Sequence, residues 1–182
     1  LKAGRNQLVA GLVVSLRTMR SRRGDAMGYV VIDDRSGRIE AALFPEVYAI
    51  HRQKISKDAV LVFEGEVAED DYTGALKLRV ANLLTIEEAR TQYSEGVMIE
   101  LCGNPAALDI PGRLRTCLEP HRSQETGCQV AVYFSTCNDH GVAARGKILL
   151  GPSWRVCPTD ALLTHLRAEF GDDSISLNYA AR

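Results

Sequence analysis

The residues best equipped for chemistry in this chain are few, and most are positive. Arg17, Arg20, Arg22 and Arg23 fall within seven residues of each other, with only Asp25 close by to offset them. Guanidinium groups at that density can neutralise phosphates. Tyr29 and Tyr72 can stack on unpaired bases. Arg38, Lys77 and Arg79 carry positive charge further along the chain. The acidic clusters Asp33-Asp34, Glu69-Asp70-Asp71 and Asp172-Asp173 could hold magnesium for phosphoryl transfer. Each lies among turn residues, however, where Asp is favoured for backbone reasons. His51, His121, His140 and His165 are scattered and form no nucleophile–base spacing. No G-x-x-x-x-G-K-[ST] phosphate loop is present. Cys102, Cys117, Cys128, Cys137 and Cys157 all lie in the second half, are odd in number and include no C-x-x-C pair. They read as small apolar fillers in a reducing cytoplasm rather than a zinc site or a disulfide framework. No catalytic residue, metal ligand or cofactor is assigned.

The bulk properties narrow the classes. Net charge is −1, so nucleic-acid binding has to come from a local patch rather than a long-range field. No apolar run approaches the ~20 residues that cross a bilayer. No signal-peptide pattern is visible, and a cytoplasmic location is expected. The chain starts at Leu1 rather than Met and reads as a fragment of a longer one. Its 182 residues suit one medium or two small domains.

The elements that position these residues are strands in the first half. Residues 8–16, 27–32, 39–44, 60–67 and 76–81 are apolar or alternate with period two, the mark of strands packed on one face. Asp33-Asp34-Arg35-Ser36-Gly37 and Asp70-Asp71-Tyr72-Thr73-Gly74 are turn sequences between neighbouring strands. Pro45 opens a helix after the third strand, with Val47, Tyr48, Ile50 and Ile55 as its expected buried residues. Five short strands with a helix between the third and fourth form the layout of an OB-fold barrel. Thr85-Ile86-Glu87-Glu88 has the form of a capping box opening a helix that runs to about Ser94 and ends near Gly96.

The second half changes character. Strands are expected at 97–101, 129–135, 142–150 and 175–179. One helix starts at Asn104 and Pro105 and carries Leu108, Leu114 and Leu118. Another is capped by Thr159, with Leu162, Leu163, Leu166 and Phe170 as its stripe and Gly171 at its end. A polar turn containing Asn138, Asp139 and Gly141 joins the two middle strands. The order is βαββαβ, read as a split βαβ pattern. The fold class expected is a five-stranded OB barrel over residues 1–95 followed by a small α+β domain over 96–182.

In this frame the stretch from Arg17 to Asp25 is the loop joining the first two strands, beside the groove that OB barrels use for oligonucleotides. If Val30 and Ile32 face the core, Tyr29 and Val31 face outward. On the same logic Arg38, Glu40 and Phe44 share one side of the third strand. Tyr72 tips a hairpin, and Lys77 and Arg79 lie on the polar side of the fifth strand. Phe44 either joins that outward strip or packs on the helix after it.

At this level of detail the residues resemble a known family. The run Gly28-Tyr29-Val30-Val31-Ile32-Asp33-Asp34-Arg35-Ser36-Gly37-Arg38-Ile39-Glu40 is similar to anticodon-binding-type OB modules. Residues 23–44, with Asp70 to Lys77, resemble the OB domain of the bacterial DNA polymerase III alpha subunit of the DnaE type. Leu118-Glu119-Pro120-His121-Arg122-Ser123 and Trp154-Arg155-Val156-Cys157-Pro158 look like segments of that family's C-terminal domain. The resemblance implies a DNA-directed DNA polymerase (a nucleotidyltransferase) whose active site lies outside this segment. It implies single-stranded template DNA as the barrel's ligand, with Arg22 and Arg23 at the basic loop tip. It also implies that the second domain binds the tau subunit of the clamp loader within the polymerase III holoenzyme. Ser174 to Tyr179 parallels a weak clamp-binding peptide of some members but lacks its leading Gln and fits a final strand, so clamp binding is not assigned. Trp154 is expected in the core. Two other readings stay open: an RNA- or tRNA-binding OB module, and a module that binds only protein.

Overall fold

A computed structural model describes residues 4–21, 23–70, 74–102, 109–137 and 143–179. The chain divides into two compact units, Leu1–Ile86 and Glu87–Arg182. In the first, β1 (Asn6–Arg20), β2 (Ala26–Asp33), β3 (Arg38–Leu43), β4 (Val60–Glu69) and β5 (Leu76–Thr85) close in the order β1-β2-β3-β5-β4. β1 is long enough to pair with β4 through its first half and β2 through its second, bending at a bulge between Val13 and Ser15. β3 meets β5 in parallel and completes the ring. This is the five-stranded OB barrel, its ring of strands closed by the β1–β4 and β3–β5 pairings. Val13, Val30, Leu43, Phe63, Val67 and Leu78 fill its interior.

Two expectations about this unit need correction. β1 runs to Arg20, so Arg17 and Arg20 are strand residues, and β2 starts at Ala26. Beyond Val14 the strand is exposed on both sides, so alternation fades while the ladder to β2 continues as far as Arg20 opposite Ala26. The helix α1 (Pro45–His51) is also shorter than its apolar pattern implied. Val47 and Tyr48 pack against the core and Ile55 is buried beyond the helix end, but Ile50 is 74% exposed. Tyr48 explains the glycine opposite it: a Cβ on Gly28 would sit 2.7 Å from the tyrosine ring. The Tyr48 hydroxyl lies 3.2 Å from Thr18 Oγ1, which ties the helix to β1.

At the division of the two units, α2 (Ile86–Tyr93) runs straight into β6 (Ser94–Cys102), with no intervening loop at Gly96. α3 (Ile110–Leu118), β7 (Gln129–Cys137), β8 (Ala143–Leu149), α4 (Asp160–Phe170) and β9 (Ile175–Tyr179) follow. From β6 onward the order is βαββαβ as read, but the arrangement is not split. The sheet order is β8-β7-β6-β9, and β6 pairs directly with β7 in parallel. Element order alone does not say which strands become neighbours. Asn104, Pro105 and Leu108 lie outside the described residues, as do Asn138, Asp139 and Gly141. α3 is described from Ile110, where the Asp109 carboxylate accepts the Gly112 N–H at 3.1 Å. The Thr159 hydroxyl caps α4 by accepting the Leu162 N–H at 3.2 Å, and Gly171 ends that helix at φ +98°.

The core of this unit joins Val97, Ile99, Leu118, Val132, Leu162 and Leu166. Cys117 and Cys128 are buried among them, and that burial pushes both thiols above their ordinary pKa. Cys102 is exposed and Cys157 half-buried. Trp154 is half-buried against the core, with the Arg122 guanidinium 4.8 Å above its ring. The stretch compared with a clamp peptide is β9, paired to β6. Among the described residues no helix is long and apolar enough to cross a membrane.

Candidate nucleic-acid interface

Strand pairing assembles the predicted residues on the outer wall of the barrel. Directly paired residues share a face. Arg17 lies opposite Tyr29, Tyr29 opposite Ala42, and Ala42 opposite Arg79. These four form one rung across β1, β2, β3 and β5. The next rung is Ser15, Val31, Glu40 and Lys77, and Arg38 faces Asp33 beyond it. Val30 and Ile32 are buried, and Tyr29 and Val31 stand outside, half-exposed. Arg17, Tyr29, Arg38, Lys77 and Arg79 therefore do come together.

The others do not all join them. By alternation Arg20 falls on the opposite side of the hairpin from Arg17 and Met19, and its Nη1 donates to the Gly24 carbonyl at 3.0 Å. Arg23 sits exposed in the hairpin loop, where its backbone N–H donates to Ser21 Oγ. Arg22 and Tyr72 lie outside the described residues.

The electrostatics of the face are less positive than its cations alone imply. Glu40 accepts Lys77 Nζ at 3.0 Å and lies 3.7 Å from Arg17. Asp70 takes the same ammonium at 2.8 Å. The Asp70 hydrogen bond first, and the Glu40 bond second, hold the Lys77 pKa above its ordinary value. Asp33 pairs with Arg38 Nε at 2.8 Å, and that bond, then the Arg35 backbone N–H, hold the Asp33 carboxyl below the ordinary carboxylate value. Arg17 also lies over the Tyr29 ring, 5.4 Å from its centroid. Arg23 and Arg79 form no ion pair among the described residues, although Arg79 faces Glu66 across the ladder. The carboxylates that offset this strip went unassigned at the level of sequence. Alternation of Arg38 and Glu40 along one strand signalled that they share a side, but not that Glu40 would meet residues as distant as Arg17 and Lys77.

Comparison with known proteins finds two family models along the chain. Residues 8–102 match the family model described as an OB-fold nucleic acid binding domain, and residues 113–171 match DNA polymerase III subunit alpha, C-terminal domain. DNA polymerase III subunit alpha of Pseudomonas aeruginosa is 41% identical over 98% of this chain, and that of Escherichia coli (strain K12) 37% identical over 93%. The chain spans about 15% of the length of these relatives. Among solved structures, the SSB domain of a Synechococcus sp. protein covers 46% of this chain and 98% of its own, at 11% identity and a TM-score of 0.40. Entamoeba histolytica asparaginyl-tRNA synthetase covers 47% of this chain and 21% of its own, at 17% identity and a TM-score of 0.40. The chain belongs to the DNA polymerase III alpha subunit family, of which it carries an OB-fold nucleic acid binding domain and the C-terminal domain.

Proposed function

We propose that the barrel holds single-stranded DNA across β1, β2 and β3, and that the second unit docks the tau subunit of the clamp loader, within a replicative polymerase of the cytoplasm. The observation that carries the first part is the outer rung of Arg17, Tyr29 and Arg79, which combines cations with an aromatic on the face OB barrels use. Binding of this kind tolerates sequence and falls with salt. Arg23 and Arg79 are the cations free to meet phosphate. In a titration of a labelled oligothymidylate at several salt concentrations, Arg23→Ala with Arg79→Ala should flatten the dependence of log K on log salt by about 1.4. A wild-type chain without affinity at low salt would sink the reading.

The paired state of Arg17, Arg38 and Lys77 favours one rival, in which the barrel binds protein only. That rival predicts negligible DNA affinity in the same titration. For the second unit, an apolar groove of about 360 Å3 between α3 and β8 supports docking, with Leu114, Phe134, Ile148, Leu150 and Trp154 in its walls. Ile148 is already half in solvent, so Ile148→Asp should leave the fold intact and weaken capture of tau by the whole chain. Unchanged capture would exclude this groove.

A further inference from the structure

We infer that Phe44 is a base-stacking platform of the barrel face, set one rung along from Tyr29 and open where Tyr29 is covered. The inference rests on the single-strand reading above and adds a site to it.

The backbone places the side chain. Leu43 pairs with Gly28 and points into the core, fully buried. Phe44 follows it at φ −67° and ψ 163°, which is extended geometry, so alternation puts Phe44 on the outer face with Ala42 and Glu40. Two residues of strand separate it from the Tyr29–Ala42 rung by about 7 Å. The neighbouring pair on that next rung is Met19 opposite Met27.

Part of the ring is left to solvent, although Met27 on the same rung is buried. Pro45 directly follows and keeps Phe44 extended rather than helical. Val47 and Tyr48 turn toward the barrel core, while Phe44 remains 47% exposed. Phe63, by contrast, is wholly buried, so the core is already supplied with its aromatic. An exposed ring whose flanking backbone is fixed is a low-entropy surface for another flat ring.

The surroundings decide what kind of ring. Phe44 borders an open cleft of about 700 Å3 shared with Ser21, Arg23, Asp25, Pro45 and Glu46. Among the described lining residues Asp25 and Glu46 offer acceptors and Arg23 a cation, beside the apolar ring. The hydroxyl and the carboxylates can meet polar atoms at the edge of a base. The ligand is an unpaired nucleotide whose base lies on Phe44 and whose phosphate reaches outward to Arg23. Tyr29 is less open to a base, because the Arg17 guanidinium lies over its ring.

The test is titration of the unchanged chain, Phe44→Leu and Phe44→Trp with a short single strand carrying 2-aminopurine, at several salt concentrations. Leu keeps the bulk and apolar contact of the site, so loss of fold does not confuse the result, and melting curves confirm this. Phe44→Leu should weaken binding about five- to hundredfold without altering the salt slope, because no charge is removed. Phe44→Trp should restore it, with quenching of the 2-aminopurine. Equal affinity for the Leu variant and the unchanged chain would overturn the platform while leaving the single-strand reading intact. No affinity in the unchanged chain would overturn the single-strand reading, and the platform with it. A flattened salt slope in Phe44→Leu would overturn stacking as the cause.

Discussion

Replacing Glu40 by Gln should tighten, not weaken, the single-strand binding proposed for the barrel. Glu40 draws on two cations of the barrel face, Arg17 at 3.7 Å and Lys77 at 3.0 Å. Arg17 is 66% exposed in that pair, so the contact is worth about 0.2–1 kcal/mol. Lys77 keeps Asp70 at 2.8 Å when Glu40 is neutralised. The net gain to an incoming phosphate is therefore about one charge rather than two. Freed Arg17 should lower Kd by roughly 1.4- to fivefold at ~50 mM salt. One further phosphate contact should steepen the log–log salt slope by about 0.7. Between ~50 and ~200 mM salt that erases about two- to threefold of the gain. Fluorescence anisotropy with a labelled oligothymidylate reads both quantities, and a melting curve checks that the amide has not disturbed the barrel. A folded Glu40→Gln chain whose affinity and slope match the parent would refute the claim that these carboxylates compete with DNA for the same cations.

Other consequences of the structure concern its stability. A Cβ on Gly65 would sit 2.0 Å from the Arg79 carbonyl oxygen at the β4–β5 bulge; Gly65→Ala should therefore cost about 1–3 kcal/mol, seen as a lower urea midpoint. Thr159→Ala removes the α4 cap and a contact with His121 Nδ1, and should cost about 1 kcal/mol, whereas Thr159→Ser should recover most of it. Asp33 is held below its ordinary pKa by Arg38 and the Arg35 N–H, and Asp34 by the Ser36 hydroxyl and then the Ser36 and Gly37 N–H groups. Because the lowered values belong to the folded state, this stabilisation is complete above about pH 4 and is lost as pH falls through them. Amide exchange across residues 33–38 should speed up only below that window, and a carboxyl NMR titration giving Asp33 an ordinary midpoint would contradict the pairing.

Much of the scaffold was legible because its signals are local. The inward set Val30 and Ile32 follows from alternation, which depends on nothing but neighbouring residues. Thr159 and Gly171 marked the ends of α4 because a cap and a positive-φ residue satisfy backbone groups within one turn. The limits of β1 were less clear, since its second half has no core beneath it to impose a pattern on Arg17 to Arg20.

What the sequence determined by itself was therefore the barrel's element order, the side of each strand that faces the core, and the supply of arginines and aromatics for its outer wall. Tertiary structure alone decided how those residues act on one another. Arg17, Glu40 and Lys77 are far apart in the chain and meet only through the β1–β2–β3–β5 register. Likewise β6 and β7 are parallel neighbours because their apolar faces pack together under α3 and α4, not because of their order. Phe44 lies open for the same kind of reason. Its neighbour Leu43 takes the inward position opposite Gly28, and the packing around the barrel leaves the outward Phe44 ring 47% exposed.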